Sequence, residues 1–586
     1  MKEFLKYVGA TVVGLILTGV LTFVFFFIAL IGLAAAGSTT GSVKDNSVLV
    51  LNLSGLMNEQ STDSPLDMLS NKTKTIGLNN VVNAIHKAKK NDKIKGIYIE
   101  AGAFAADSYA SLQAIHDALE DFRKSNKWII TYGDNYTQGA YYLASTANKI
   151  YLNPQGMVDW HGIASQPYYL KDFLAKFGVK VQVAKVGTYK SATETFTADG
   201  MSPANREQTT AYINAIWKNV SSAVSKSRNI PEARLNQLAD SLVTLAAPED
   251  YVKYKMVDGL LYTDQVKGVV KKQLGIDDDD EISQVTPSDV IADDTDDDGD
   301  EIAVYYAYGE VVDGAASWSN EHTIDAQVVC KDLEDLADDD DVKAVVLRVN
   351  SGGGSAYASE QIWHQVMELK KKKPVVVSMG GMAASGAYYL SAPANWIVAE
   401  PTTLTGSIGI FGMFPDMSGL LQDKLGLKFD VVKTNAHSDF ETTTRPFTDE
   451  EMRYLEGYIN RGYRLFRKRV ADGRHLSTDQ VERIAQGHVF AGQDAIKIKL
   501  VDQLGSLDDA IAKAAQLAKV KEYHETEYPV PESWTDQLLD EATGGNYLDE
   551  KLHAELGSLY EPVMLLRNIN KVDAIQARLP YIINIK

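Results

Sequence analysis

The sequence has a single cysteine, Cys330, among its 586 residues, so it can form neither an intrachain disulfide nor a cysteine-based metal cluster. Cys330 reads as a packing residue. Positive charge is also scarce: 58 Lys and Arg stand against 78 Asp and Glu, a formal net charge of −20. Affinity for nucleic acid comes mainly from cations that neutralise phosphates, so no nucleic acid is expected as a partner. A His-Glu-x-x-His motif and a Gly-x-Ser-x-Gly elbow are both missing, which removes the sequence marks of a zinc peptidase and of an α/β-hydrolase triad. No metal and no cofactor is called for by the residues that remain.

What is present is an ordinary globular composition, 45% hydrophobic and 23% charged, over a length well beyond the roughly 100–200 residues of one domain. Two or more domains are expected. One long apolar run, residues 8–36, follows Lys2 and Lys6 and ends in Leu33-Ala34-Ala35-Ala36-Gly37-Ser38. Spanning a bilayer takes about 20 apolar residues, whereas the core of a cleaved signal peptide has about 7–15, so residues 1–45 are expected to form a transmembrane helix and a short linker. The two lysines place the N-terminus in the cytoplasm and everything after Gly37 outside it. Cleavage after the alanines would change the anchoring but not the compartment.

The rest of the chain is an internal repeat. Ile94-Lys95-Gly96-Ile97-Tyr98-Ile99 corresponds to Val342-Lys343-Ala344-Val345-Val346-Leu347, and Gly139-Ala140-Tyr141-Tyr142-Leu143 recurs as Gly386-Ala387-Tyr388-Tyr389-Leu390. Between these landmarks each half carries a helix-like segment, 110–122 or 358–369, and a second strand, 128–132 or 374–378. The halves close alike, on Met256-Val257-Asp258-Gly259-Leu260 and Leu500-Val501-Asp502-Gln503-Leu504. Strands alternating with helices predict α/β units, and two copies predict tandem domains from a duplication, at 46–275 and 302–586. The acidic residues 276–301 between them read as a solvated linker. Asp294-Thr295-Asp296-Asp297-Asp298-Gly299 matches the start of a calcium loop, but its twelfth position is Tyr305 and a strand follows, so a flexible linker is the simpler reading.

The chemistry is sought where the halves differ. After its first strand the second half has Arg348-Val349-Asn350-Ser351-Gly352-Gly353-Gly354-Ser355, where the first has Glu100-Ala101-Gly102-Ala103-Phe104. Such glycines leave backbone N–H groups open to a ligand, as an oxyanion hole requires, although many turns are glycine-rich. In Met382-Ala383-Ala384-Ser385-Gly386 a serine precedes the shared Gly-Ala-Tyr-Tyr, where the first half has Gln138. Ser385 could be a nucleophile, a helix N-cap, or both. The nucleophile needs a proton acceptor, and the third difference offers one: Val186-Gly187-Thr188-Tyr189-Lys190-Ser191-Ala192 aligns with Thr434-Asn435-Ala436-His437-Ser438. Each half lacks what the other holds, which predicts one composite site. Lys190 would serve only if burial lowered its ordinary pKa of about 10.4. A Ser-His-Asp arrangement using His437 is the alternative, though His437 reads more simply as a loop residue.

With these residues in view, the sequence resembles the long, tandem-domain form of the signal peptide peptidase A (protease IV) family of bacterial Ser-Lys peptidases. The resemblance rests on the anchor, the two halves, and four motifs. These are Arg348 to Gly354, Ser378 to Gly386, Thr405-Gly406-Ser407-Ile408-Gly409, and Tyr189-Lys190-Ser191-Ala192. It implies two Clp-protease/crotonase-like domains and a homotetramer on the outer face of the cytoplasmic membrane. It also implies Ser385 as nucleophile and Lys190 as general base. Backbone N–H groups at Gly353, Gly354 and Gly386 would form the oxyanion hole, and Ser407 would orient the lysine. The substrates implied are remnant signal peptides and other apolar peptides. Gly352 stands where that family usually has proline. A crotonase-type acyl-CoA enzyme and a catalytically silent membrane scaffold are the competing expectations.

Overall fold

The computed structural model describes residues 43–60, 75–293, 299–314, 322–530 and 574–579, with isolated positions between 6 and 25 and at 560 and 564. Among the described residues no helix is long and apolar enough to cross a membrane. The apolar run expected to be an anchor lies largely outside them, as do residues 294–298 of the calcium-like stretch.

The first half contributes β1 (Ser47–Asn58), β2 (Thr75–Gly77), β3 (Ile94–Ala106), β4 (Trp128–Tyr136), β5 (Lys149–Val158), β6 (Lys180–Lys185), β7 (Gly259–Leu260) and β8 (Gln284–Val285). The second contributes β9 (Asp300–Tyr308), β10 (Glu310–Val312), β11 (Thr323–Asp325), β12 (Val342–Ser351), β13 (Gly353–Ser355), β14 (Val375–Ala384) and β15 (Trp396–Ala399). It continues with β16 (Leu404–Gly406), β17 (Phe411–Asp416), β18 (Val489–Ala491), β19 (Gln503–Leu504), β20 (Tyr523–Tyr528) and β21 (Ile575–Arg578).

Two mainly parallel sheets face helices. One runs β2-β1-β3-β4-β5-β7, with β8 on β1; the other runs β18-β16-β14-β12-β9-β20, with β15 on β14 and β19 on β15. The near-continuous apolar run of β12 is buried on both faces, as a central parallel strand between helical layers must be. The duplication repeats down to single hydrogen bonds. Tyr141 Oη donates to the Met256 carbonyl and Tyr388 Oη to that of Leu500, each at 2.9 Å. Asp258 accepts from Ile150 N–H at 2.8 Å, as Asp502 does from Ile397 at 2.9 Å. Strand β8 pairs with β1 as β20 pairs with β9, so part of the acidic segment 276–301 is built into the first sheet.

The halves are locked by a buried ion pair. Arg348 of β12 grips Glu59, just past β1, with Nε and Nη2 at 2.8 and 3.2 Å, and Asn350 adds a bond to the same carboxylate at 2.9 Å. Both charges are almost wholly buried, so removing either partner alone should cost about 3–5 kcal/mol. A third sheet, β11-β10-β13-β21-β17-β6, joins the halves directly. Strand β6 of the first half pairs antiparallel with β17 of the second, from Phe411 opposite Lys185 to Asp416 opposite Lys180. The corresponding residues of the second half, 428–433, make no strand pairing and are exposed, Val432 almost completely.

Candidate active site

Strand β6 leads directly into the loop that carries Lys190. The loop is fixed from both sides: Tyr189 N–H donates to the Gln486 carbonyl at 2.8 Å, and Gln208 Nε2 donates to the Tyr189 carbonyl and to Ser191 Oγ at 3.1 and 3.2 Å. Glycine at 487 is required here, because a Cβ would lie 2.7 Å from the backbone of Lys190. Lys190 is therefore pressed inward, 1% exposed. Its Nζ lies 2.7 Å from Ser385 Oγ, 3.0 Å from Ser407 Oγ and 3.1 Å from the Ser407 carbonyl. Burial, and secondarily the positive charge of Arg578, push its pKa well below that of an ordinary lysine. A neutral amine has two hydrogens and one lone pair. If the two Ser407 oxygens take the hydrogens, the lone pair is left facing the Ser385 hydroxyl.

Ser385 sits at the end of β14, where the chain turns into the helix Gly386–Ser391, with φ 57° and ψ −112°. That conformation costs an L-residue about 1–3 kcal/mol and has to be imposed by its surroundings. Ser385 N–H donates to the Gly406 carbonyl and its own carbonyl accepts from Tyr389 N–H, both at 2.8 Å. The side chain makes no N-cap bond to the helix. It is thus a serine at a cap position whose hydroxyl is turned to the lysine instead.

Gly354 and Gly386 come together next to it. A Cβ on Gly386 would lie 3.2 Å from Gly354 N and 2.5 Å from Ser359 Oγ, and one on Gly354 would lie 2.1 Å from the Val311 carbonyl oxygen, so neither position admits a side chain. Gly353 differs from the sequence expectation. Its N–H donates to Ser351 Oγ at 3.0 Å, and at φ 97° it serves as the bend that presents Gly354. Gly409, missed in the sequence, closes the site: its carbonyl lies 3.4 Å from Ser385 Oγ and a Cβ would lie 3.2 Å from Lys190 Cδ. Its signal in the sequence is the motif Thr405 to Gly409, which it ends two residues after Ser407. Gln208 had no sequence signal at all, since it acts from a long helix, Pro203–Arg228.

His437 lies elsewhere, in the segment of the second half that makes no strand pairing, with Nδ1 3.4 Å from Glu451. Cys330 packs on the second core, and burial raises its thiol to about 11. Among the described residues no group of three His, Cys, Asp or Glu is placed to hold a metal ion. The place in the first half that matches Ser385 is filled by Gln138. Its Oε1 accepts from His161 and Gly162 N–H at 3.1 and 3.0 Å, and its Nε2 donates to Tyr109 Oη at 2.8 Å. A cavity of about 430 Å³ lies beside it, bounded by Ala105, Ala106, His161, Met382 and Thr402.

A duplicated α/β scaffold that buries a strained serine against a lysine has the frame of a serine-type peptidase, and comparison with known proteins gives the chain's lineage. The profile of peptidase family S49 matches residues 121–277 and again 367–521, and that of Clp protease matches residues 318–397. Protease 4 of Salmonella typhi is 38% identical over 95% of this chain and 92% of its own. Protease 4 of Haemophilus influenzae is 35% identical over 86% and 84%, and the chloroplastic serine protease SPPA of Arabidopsis thaliana 29% identical over 82% and 70%. The chain belongs to peptidase family S49, in its long, tandem-domain protease 4 form.

Proposed function

We propose that the protein is an endopeptidase working through a Ser385–Lys190 dyad. Neutral Lys190 takes the Ser385 proton as Oγ attacks a peptide carbonyl, and the N–H groups of Gly354 and Gly386 hold the oxyanion. Lys190 returns the proton to the leaving amine, and water releases the acyl group by the reverse path. Ser407 keeps the lysine lone pair on the hydroxyl. The observation that carries this reading is the 2.7 Å approach of Nζ to Oγ in a buried site where Ser407 can occupy both amine hydrogens.

The substrates in this reading are cleaved signal peptides and other apolar peptides at the outer face of the cytoplasmic membrane. The resemblance to the family supports that class, and the apolar run 8–36 supports a single-pass anchor. The two units are taken as 46–275 and 302–586, with β8 returning to the first. Homo-oligomerisation, four copies by resemblance, is supported by the second half's exposed segment, whose counterpart in the first half is paired through β6.

A fluorophosphonate probe tests the dyad. It should label Ser385 alone and fail on Ser385→Ala; an unlabelled enzyme whose Ser385→Ala variant still hydrolyses apolar peptides at the original rate would end the reading.

A further inference from the structure

The cavity beside Gln138 lies where the first half would carry a reaction centre of its own, and both halves bound it. The first half supplies Asp107, just past β3, with Tyr109, Asp159 and His161; the second supplies Met382 of β14 and Leu404 of β16. The halves meet at its wall, since a Cβ on Gly381 would lie 2.5 Å from Ser108 Cβ. Gln138 spends its amide on the frame. Its Nε2 donates to Tyr109 Oη and to the Gly162 carbonyl at 2.8 and 3.0 Å, while its Oε1 holds the His161 and Gly162 N–H groups. At about 430 Å³ the cavity has the size of a ligand pocket, which runs to roughly 300–1,000 Å³.

The charge around it is one-sided. Asp107 accepts from Asn350 Nδ2 at 2.7 Å; Asp159 accepts from Thr244 Oγ1 at 3.1 Å and lies 3.6 Å from His161 Nδ1. Among the described residues neither carboxylate is paired with a lysine or arginine. Arg348 already grips Glu59 and lowers the Asp107 pKa only weakly, whereas burial and the Glu59 charge raise that carboxyl to about 6, still ionised at neutral pH. Asp107, Asp159 and His161 are not placed to share a metal ion. The counter-charge that fits is an organic cation on an apolar stem, for which Phe104, Leu112 and Ile216 supply the wall.

We infer that this cavity is a subsite for a lysine or arginine side chain of the peptide substrate, with Asp107 and Asp159 as its anions. The inference rests on the peptidase reading above. Met382 stands three residues before Ser385, about 10 Å at the rise of a strand, so the basic residue falls about three residues from the bond that is cut. No bond is made or broken in the cavity. The first half, lacking a nucleophile, contributes selection.

The test compares peptides of one apolar sequence that carry a single lysine, or uncharged norleucine, at successive positions on both sides of the cut. With the full-length wild type, lysine should raise kcat/KM over norleucine about tenfold or more at one position about three residues away, the worth of a charge-assisted bond. In Asp107→Asn, and separately in Asp159→Asn, that ratio should fall toward one, through KM rather than kcat. Asp107→Lys should invert the preference, so that glutamate is favoured at the same position. A purely structural role for Asp107 would slow every peptide alike and would invert nothing. Equal rates for lysine and norleucine at every position, or a preference that survives both asparagine variants, overturn this inference and leave the dyad standing. So does a change confined to self-association in sedimentation, which would make the cavity a seat for a second copy. A wild type that hydrolyses none of the peptides ends both readings.

Discussion

The two halves share a sheet order, a helix layout and paired hydrogen bonds, yet their equivalent sites differ in a few atoms. The second half has Ser385 at φ 57°, whereas Gln138 in the first is an ordinary helical residue that ties down its own neighbouring loop. Where the second half has Gly353 and Gly354, with no room for a Cβ, the first has Ala105 and Ala106 beside an open cavity. The strand leading to Lys190 is paired; its counterpart in the second half is bare. A duplicated scaffold therefore does not make two sites. One half keeps strain and missing side chains, and the other relaxes into satisfied hydrogen bonds.

The largest break in that asymmetry is expected at the serine. Ser385→Ala should lower kcat/KM by about 10⁴-fold or more, whereas Gln138→Ala should leave it within about threefold. Gln138→Ala should instead destabilise the fold by about 1–3 kcal/mol, because the N–H groups of His161 and Gly162 lose their acceptor. Denaturant titration with steady-state kinetics separates the two effects. Next comes Gly353→Ala, which installs in the second half the residue the first half has. Its Cβ would lie 2.7 Å from Gly386 N, in the space proposed for the oxyanion, and kcat should fall by about 10²–10³-fold. An unchanged kcat would remove the oxyanion assignment.

Ser407→Ala should lower kcat by about 10- to 100-fold with little change in KM, and should alter the pH profile, because one of the lysine's two acceptors is gone. The profile itself sharpens the comparison. Lys190 has a depressed pKa, so kcat/KM should rise with pH and level off well below pH 10.5. For stability, the folded state binds fewer protons than the unfolded state between the two pKa values, so folding expels a proton and is penalised there. Lys190→Met should be inactive yet more resistant to denaturant near neutrality. The advantage should shrink by about 1.4 kcal/mol per pH unit as pH climbs toward the unfolded value, reaching nothing above it. The smallest effect concerns the bare segment: Val432→Glu should weaken self-association in sedimentation while leaving hydrolysis near the wild-type rate.

Much of this was legible in the sequence because duplication supplies an internal control. The strand Val342 to Leu347 and the repeated Gly-Ala-Tyr-Tyr-Leu fix the register between halves, and Ser385 and Lys190 stand out as departures from it. Boundaries were less legible. Strand β3 runs on to Ala106, past the apolar stretch that announces it, since pairing with β1 carries it further. At Gly353 the sequence shows that a glycine is present but not that its N–H points at Ser351 Oγ. Gln208 was invisible for a different reason: its partners, Tyr189 and Ser191, are brought to it only by tertiary packing. Short-range pattern carries no information about such pairs.

The pairing of β6 with β17 has a consequence for concentration. It delivers Lys190 to Ser385 within one polypeptide, so on the proposed mechanism base and nucleophile meet at a fixed effective concentration however dilute the protein becomes. Assembly of further copies could then shape access to the cleft without being needed to create it. Specific activity should hold constant on dilution through any dissociation of the oligomer, which makes the fused halves a tethered pair that needs no second molecule to complete its chemistry.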